Sequence, residues 1–303
     1  MFVKKKCIRY GYLLCVVSGF RLVGMGPFAA DHVVTSFTEV QELFDKATPD
    51  SLVVLDIDRT ISEPLDATLR IGTTQNVEDF SDKNESITAI YGDFLEGIER
   101  KPKGFFVRAV LNSLEQHLVE PVIADIVADL QQRRVPVVAL SAFCAGQSKD
   151  VPEGSIQESR YQKMRRLGID LSTSFDFQER FFLPDDDWWV SSVRYYKGLI
   201  STASRAKGTT LWAFMESLKK EGRMPLEVIF ADDAHVNIES VKKELCRRAI
   251  PVTTILYEAS THRASEEVID SVVAKAQYDY ILAHDAYISY ADAAKLVSGA
   301  EKG

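Results

Sequence analysis

Two carboxylates that end a short apolar run constrain the fold of this chain more than any other feature. The run covers Leu52–Leu55, and the segment Asp56–Thr60 follows it directly, with acids at Asp56 and Asp58. A continuous apolar run bounded by polar residues is typical of a strand buried on both faces in a parallel sheet. In open α/β sheets, ligands bind beyond the carboxyl ends of the strands. The pattern therefore predicts an α/β fold with both carboxylates at the functional edge of a parallel sheet.

A second apolar run ends at a small hydroxyl residue. It covers Val135–Ala142, with Ser141 near its end, and it follows a helix predicted over Pro121–Arg134. Proline suits the first turn of that helix, whose apolar side chains recur at helical spacing. The Ser141 hydroxyl and the backbone N–H of Ala142 could each bond a phosphate oxygen. A serine that simply joins a strand to a loop is the alternative interpretation.

A lysine opens a later predicted helix. Lys207 and the small residues after it precede apolar positions at helical spacing. Acids are preferred at a helix N-terminus, so a lysine there indicates a nearby anion, with a solvated side chain as the alternative. Lys197 is a competing candidate, but the segment Tyr195–Ile200 predicts a β-hairpin with Gly198 at its turn.

Two adjacent acids end another predicted strand. The strand begins at Leu226, and Asp232 and Asp233 stand at its end. Crowded carboxylates repel each other unless a cation offsets their charge. Mg²⁺ is the expected cation because it takes hard oxygen ligands. Asn237, four residues beyond Asp233, could orient Asp233 or cap the helix that follows.

The order of these four segments resembles the haloacid dehalogenase-like (HAD) superfamily. Its most specific parts here are Asp-x-Asp-x-Thr at Asp56–Thr60 and Asp-Asp-x-x-x-Asn at Asp232–Asn237, whereas Ser141 and Lys207 gain weight from their position. The hairpin at Tyr195–Ile200 adds a narrower likeness to an uncharacterised group of exported bacterial HAD-like proteins. The resemblance implies a doubly wound parallel sheet with a small helical cap inserted at about residues 62–120.

The resemblance also implies a phosphatase that acts on a small phosphorylated substrate. Asp56 would be the nucleophile, and hydrolysis would pass through an aspartyl-phosphate. Asp58 would protonate the leaving alcohol and then activate water as a base. Lys207 would offset the charge on the nucleophile and on the transferring phosphoryl group.

The remaining motif residues are implied to bind the substrate and a metal. The phosphoryl oxygens would be held by Thr60, Ser141 and Ala142. Mg²⁺ would be held by Asp56, the backbone carbonyl of Asp58, and Asp232 or Asp233.

Arg59 departs from the commoner HAD pattern, in which a small or amide residue is frequent at this position. We expect its side chain to point to solvent. Two alternatives stay open: the side chain could contact a second phosphate or acid of the substrate, or it could crowd the mouth of the site.

Two rival functions would use the same residues. The first is a scaffold that only binds, for instance a secreted effector that holds a phosphorylated ligand or a host protein. Intact Asp56, Asp58 and Lys207 argue against it, because a pure binder needs no nucleophile. The second is a phosphotransferase that passes the aspartyl-phosphate to an acceptor other than water, which product analysis with added alcohols would separate from hydrolysis.

The composition is that of a globular protein with a separate N-terminal segment. The chain has 303 residues, 46% of them hydrophobic and 26% charged. Met1–Ala30 contains five Lys or Arg residues, no acids, and an apolar stretch over Tyr10–Phe20. This pattern predicts a signal peptide cleaved near Ala30 and an exported, periplasmic or secreted protein. An uncleaved anchor or an incorrect start is the alternative, although the apolar stretch is too short to span a bilayer.

The net charge argues against two classes of partner. Removing the signal segment with its five positive charges takes the net charge from −8 to −13. A general nucleic-acid binder or an anionic-membrane binder would need basic patches, so neither is expected. We expect no stable membrane anchor after signal removal.

Cysteine and histidine spacing gives no metal motif. Cys144 and Cys246 lie outside the signal segment, and a disulfide between them is compatible with their number but not indicated. His235 lies within the Asp-Asp segment, and we expect it in an exposed loop.

Long gaps between the motifs predict inserted structure. Ile61–Glu120 exceeds what a strand-to-helix connection needs and predicts the helical cap, with a helix over Phe105–Leu118 and a loop or mobile lid over Gly72–Ser86. Trp188 and Trp189 could stack on a base or sugar ring, or pack a hairpin onto the core, which we favour.

Three further elements are predicted outside the cap. Ser36 and Glu39 have the spacing of a capping box at a helix start. A helix is predicted over Ile156–Leu167. The chain from Ala264 onward looks helical, and we expect it to close the sheet.

Overall fold

The structure is a computed structural model, and part of the chain is described in it. The predicted signal segment, except Ala29 and Ala30, lies outside the described residues, as do Cys144, Trp188 and Trp189. The predictions made for these segments therefore stay predictions. The described residues are 29–72, 85–101, 109–110, 113–142, 155–183, 193–202, 205–266 and 268–300.

An eight-stranded sheet forms the centre of the protein. Six neighbouring strands are parallel to one another. The two further strands at one edge each pair antiparallel with the strand before them in the sheet. The predicted α/β fold with a mostly parallel sheet is thus confirmed. The strands lie in the spatial order β1 (His32–Val34), β10 (Val252–Tyr257), β9 (Glu227–Asp232), β2 (Ser51–Leu55), β5 (Val137–Ser141), β8 (Leu199–Ser201), β7 (Arg194–Tyr196) and β6 (Glu179–Phe181).

Helices cover both faces of this sheet. The helices are α1 (Gln41–Lys46), α2 (Ala67–Gly72), α3 (Glu85–Glu99), α4 (Val122–Gln132), α5 (Ser155–Arg166), α6 (Lys207–Lys219), α7 (His235–Cys246), α8 (Ala259–Glu266), α9 (Ser271–His284) and α10 (Tyr290–Ala300). Alternate residues of β2 point to opposite faces: Val53 and Leu55 pack in a core with α1, α4 and α5, and Leu52 and Val54 pack in a core with α6 and α7. Burial on both faces explains why β2 is apolar at every position after Ser51.

The predicted capping box is confirmed. The Ser36 side chain accepts a hydrogen bond from the backbone of the next turn, and the Glu39 carboxylate accepts one from the Ser36 N–H at 2.8 Å. The turn that it opens, Phe37–Val40, is a short 3₁₀ helix that leads into α1.

The predicted hairpin over Tyr195–Ile200 is confirmed as β7 and β8. Lys197 and Gly198, at its turn, both have positive φ, at 46° and 88°. A Cβ on Gly198 would also lie only 2.5 Å from the backbone oxygen of Leu171. Glycine is therefore required here by both the turn geometry and the close approach of another segment.

The inserted segment, at about residues 62–120, has one strand near its start and one near its end, and these two strands form an antiparallel pair. β3 (Ser62–Pro64) pairs with β4 (Gln116–Leu118). The predicted helix over Phe105–Leu118 is therefore wrong at its C-terminal end, where apolar spacing was compatible with either element. Of the predicted loop over Gly72–Ser86, residues 73–84 lie outside the described residues, whereas Gly72 ends α2 and Glu85 begins α3.

Among the described residues, the C-terminal helices α9 and α10 pack on the inserted segment, in a core separate from the two cores of the sheet. Their shared core with α2 and α3 includes Leu69, Phe94 and Tyr278, and the Phe94 and Tyr278 rings stack with centroids 4.4 Å apart. The expectation that the C-terminal stretch closes the sheet is thus wrong. We call α2, α3, α9 and α10 the helical module.

A buried carboxylate ties the helical module together. Asp66, which precedes α2, accepts hydrogen bonds from Thr68 Oγ1 at 2.5 Å, Gln277 Nε2 at 2.8 Å, Tyr287 OH at 2.8 Å and the Tyr290 N–H at 3.0 Å. Gln277 and Tyr290 lie on the C-terminal helices α9 and α10, and Tyr287 lies between these two helices. The module is therefore joined by polar as well as apolar contacts across a long separation in sequence.

Substitution by alanine is expected to change the stability of the protein in opposite directions at two helical glycines. A Cβ on Gly208 of α6 would lie 2.1 Å from the Ser240 carbonyl oxygen of α7, whereas a Cβ on Gly92 of α3 would meet no atom within 4 Å. We expect Gly208→Ala to lower the free energy of unfolding by about 1–3 kcal/mol, because two helices must separate. We expect Gly92→Ala to raise it by about 0.5–1 kcal/mol, because alanine favours the helix. Urea unfolding of both variants measures the difference, and equal effects would contradict the close helix contact.

Within the described residues, each helix is too short or too polar to cross a membrane.

Candidate functional site

Adjacent parallel strands bring the predicted motif residues to one edge of the sheet. β9, β2 and β5 are neighbours; β9 and β5 end with a polar residue, and Asp56 directly follows β2. The Asp56 N–H donates to the Ala231 carbonyl at 2.9 Å, so Asp56 and Asp232 leave neighbouring strands side by side. Ser141 ends β5 on the other side of β2. The order of strands in the sheet, which the sequence alone does not give, thus assembles the site.

Lys207 lies between two of the carboxylates. Its side chain is buried, and its Nζ donates to Asp56 Oδ1 and to Asp232 Oδ2, the latter at 2.6 Å. Burial alone would lower the pKa of Lys207, but the charges of Asp232 and Asp56 outweigh it and raise that pKa above its usual value. The lysine at the start of α6 therefore serves anions, as predicted, and the alternative of a solvated lysine is wrong.

Three carboxylates form a cluster that could hold a metal ion. Asp56, Asp232 and Asp233 each offer one oxygen, and these oxygens all lie within 4.8 Å of one another. Burial raises the pKa of Asp56 well above its usual value, although Lys207 opposes this, and burial raises the pKa of Asp233 to about 6. An added cation would favour the ionised form of both groups.

Asp232 is held in place from the start of α7. Its Oδ1 accepts hydrogen bonds from the Ala234 N–H and from Asn237 Nδ2, both at 2.9 Å. Asn237 was predicted to orient Asp233 or to cap the helix, and both predictions are wrong. Its amide bonds Asp232, and the residue at the N-cap of α7 is Ala234. His235 is exposed, as expected, but it is the first residue of α7 and not part of a loop.

Asp58 is the most accessible carboxylate of the site. Its side chain is 46% exposed, against 7% for Asp56. Its Oδ2 accepts hydrogen bonds from Ser141 Oγ at 3.3 Å and from Arg160 NH1 at 2.8 Å. Asp58 thus lies on the open side of the site, and its predicted carbonyl contact with a metal stays a prediction.

Arg59 does not point to solvent, and that expectation is wrong. The residue is 8% exposed, its NH1 lies 3.1 Å from Asp233 Oδ2, and its NH2 donates to Thr261 Oγ1 at 2.7 Å. Its φ of 70° is in the left-handed region, which costs about 1–2 kcal/mol for a residue other than glycine. The buried contact with Asp233 and α8 offsets that cost, so Arg59 neutralises the outer carboxylate of the cluster.

The predicted phosphoryl-binding residues stand in different surroundings. Thr60 is fully buried, and its hydroxyl has no hydrogen-bond partner among the described residues. Ser141 is buried at the end of β5 and contacts Asp58, and Ala142 follows it at an exposed position. Ser141 therefore contacts a carboxylate of the site directly, and the roles of Thr60, Ser141 and Ala142 toward a phosphoryl group stay predictions.

Arg160 of α5 was not predicted as a site residue. The helix was predicted, but its side chains were not assigned to the site. A visible signal was available, because four of the last seven residues of this helix are Lys or Arg, at 160, 163, 165 and 166. That concentration of positive charge stands out in a chain with a net charge of −8.

Comparison with known proteins gives a family without an assigned activity. The family described as "Protein of unknown function (DUF2608)" matches residues 33–293. An uncharacterized protein of Rickettsia bellii (strain RML369-C) is 21% identical over 212 residues, which cover 69% of this chain and 68% of that protein. No solved structure matches the chain. Because the family match covers most of the described sheet and helices, the chain belongs to the DUF2608 family.

Proposed function

We propose that this protein is a HAD-like, Mg²⁺-dependent phosphomonoester hydrolase. One observation carries the proposal: three carboxylates within 4.8 Å of one another stand at the carboxyl ends of adjacent parallel strands, with a buried lysine bonded to two of them. A binding scaffold would gain no stability from crowding buried charges in this way. Phosphoryl transfer needs this combination of positioned charges around a nucleophile.

The proposed reaction has two steps on the chain's own residues. The Asp56 carboxylate attacks the phosphorus, the bond to the leaving oxygen breaks, and Asp58 gives its proton to that oxygen. Water then attacks the phosphorus of the aspartyl-phosphate while Asp58 takes a proton from the water. The bond between phosphorus and the Asp56 oxygen breaks, which frees the Asp56 carboxylate and inorganic phosphate. Lys207 holds the Asp56 oxygen in place and offsets negative charge throughout.

The carboxylate cluster fits a hard divalent cation. Asp56, Asp232 and Asp233 supply only oxygen donors, as Mg²⁺ prefers. When bound, Mg²⁺ would neutralise charge that develops on the phosphoryl oxygens. When all three carboxylates are ionised, Lys207 and Arg59 balance two of their charges, and the remaining negative charge attracts the cation.

We further propose that the helical module acts as the cap of this enzyme. It is connected to the site through β3, because the Arg59 N–H donates to the Ser62 carbonyl at 2.7 Å directly after the first motif. A module attached at this point can shape access to the open side of the site, where Asp58 lies. We likewise propose that the sheet and the helices on its two faces form a doubly wound core of the HAD type.

Phosphate release from a panel of phosphomonoesters tests the proposed function. We expect turnover with Mg²⁺ and a loss of more than about 100-fold when EDTA removes the metal. Restoring Mg²⁺ should restore the rate, which controls for damage by the chelator. Turnover that ignores EDTA, or the absence of turnover from folded protein on the whole panel, would contradict the proposal.

A further inference from the structure

A second basic side chain stands beside the cation that contacts Asp58. Arg160 and Lys163 are one turn apart on α5, a spacing that makes their side chains neighbours. Arg160 is 17% exposed and bonds Asp58, the most accessible carboxylate of the site. In the proposed reaction the leaving group must extend to this open side, because Asp58 protonates it. The two cations therefore lie where the non-reacting part of a substrate would be.

Lys163 is held in an environment that disfavours its charge. Its Nζ donates to the Leu114 carbonyl at 2.9 Å, at the end of the inserted segment. Burial and, to a smaller extent, the charge of Arg160 lower the pKa of Lys163 to about 8, although the charge of Asp58 opposes them. An anion placed between Lys163 and Arg160 would favour both charges.

A buried amide on the same helix lacks a polar partner. Gln157 precedes Arg160 by one turn and is 1% exposed, and neither its oxygen nor its nitrogen has a hydrogen-bond partner among the described residues. Leaving such a group unpaired costs about 1–3 kcal/mol. A polar ligand group at this part of α5 would supply the missing partner.

The helix that carries these residues is fixed at both of its sides. Glu158 accepts hydrogen bonds from Tyr196 OH at 2.5 Å and from Lys197 Nζ at 2.9 Å, which ties α5 to the hairpin turn. These bonds lower the pKa of Glu158 to about 2. Lys163 ties the same helix to the inserted segment. α5 is thus a rigid platform for side chains that face the open side of the site.

We infer that α5 forms a subsite for a second anionic group on the substrate, a carboxylate or a second phosphate, bound by Arg160 and Lys163. The inference rests on the proposed function, since the phosphate ester itself would be at Asp56. It narrows the substrate class to phosphomonoesters whose leaving group is itself negatively charged. Arg160 would then exchange its contact with Asp58 for one with the substrate.

Matched pairs of esters test this subsite. Phosphoglycolate is compared with ethyl phosphate, and propane-1,3-diol bisphosphate with propyl phosphate, so that a carboxylate and a second phosphate are tested separately. We expect kcat/KM to favour the doubly anionic member of at least one pair by about 10- to 100-fold, the range of a charge-assisted contact. In Arg160→Met and Lys163→Met this ratio should fall by at least about 5-fold, whereas Arg165→Met on the exposed side of α5 should keep it.

Binding to an inactive protein separates failure of this inference from failure of the proposed function. The same esters are titrated into Asp56→Asn protein by calorimetry, with and without Arg160→Met. Equal kcat/KM for both members of each pair, or a preference that survives both α5 substitutions, would overturn the subsite and leave the hydrolase intact. Arg160-dependent binding without turnover would support the subsite and overturn the hydrolase. Neither turnover nor binding would overturn both.

Discussion

Asp56→Asn is expected to abolish Mg²⁺-dependent phosphate release, by more than about 1,000-fold in kcat, because an amide is a far weaker nucleophile than a carboxylate. The change removes one charge and keeps the shape of the side chain. Since burial already disfavours the charge of Asp56, the neutral amide should be tolerated and the protein should stay folded. Release of phosphate from a phosphomonoester and thermal unfolding of the same sample measure the two effects.

The control for this substitution is Asp50→Asn, the same change at an exposed position just before β2. It should leave both the rate and the midpoint of unfolding within the range of the unmodified protein. Asp58→Asn should retain measurable turnover of esters with good leaving groups, because such groups need little protonation. Asp56→Asn protein that is folded and fully active would exclude Asp56 as the nucleophile.

The residues at the strand ends could be predicted from the sequence. Burial on both faces makes β2, β5 and β9 apolar almost throughout, so the first polar residue marks the carboxyl end of each strand. Asp56, Ser141 and Asp232 are at those ends. Periodicity alone does not give the order of strands, and their meeting at one edge followed only from the general rule for ligand sites in parallel sheets.

The partners of two arginines could not be predicted in this way. Arg59 is buried because its backbone takes a left-handed conformation that turns its side chain toward Asp233, and no local pattern in the sequence specifies that for an arginine. Arg160 contacts Asp58 across a separation of 102 residues, which depends on how α5 packs. Arginine side chains are expected at the surface unless they are paired, and here both arginines are paired with carboxylates of the site.

The position of the C-terminal helices was also beyond local reasoning. Apolar residues at helical spacing indicate that one face of a helix is buried, but they do not indicate which element covers that face. Tyr278 of α9 stacks on Phe94 of α3, and Gln277 bonds Asp66, so the partner surface comes from the inserted segment. An insertion and a distant terminus that build one module can be recognised only when both are placed in space.

Lys207→Met is expected to lower the free energy of unfolding by about 3–5 kcal/mol, because it leaves buried carboxylates without their cation. Asp56 and Asp232 are both buried, so water cannot replace the lysine. In the variant, burial without Lys207 should raise the pKa of Asp56 further in the folded state. The folded state then binds protons more tightly than the unfolded state, so the loss of stability should be smaller at about pH 5 than at about pH 8. Urea unfolding at both pH values measures this difference.

Mg²⁺ should restore part of the stability that Lys207→Met removes, because a cation bound at Asp56, Asp232 and Asp233 compensates the same charges. A Mg²⁺ concentration 100 times the dissociation constant of the variant would add about 2.7 kcal/mol to its stability. At the same concentration the unmodified protein should gain less, because Lys207 already bonds two of the carboxylates and weakens Mg²⁺ binding. Lys219→Met, the same change at the exposed end of α6, should show neither the loss nor the rescue. A Lys207→Met protein as stable as the original would mean that these acids are neutral in the folded protein. A destabilised variant that Mg²⁺ does not rescue would mean that the cluster serves the lysine alone, and the metal-dependent mechanism would fail with it.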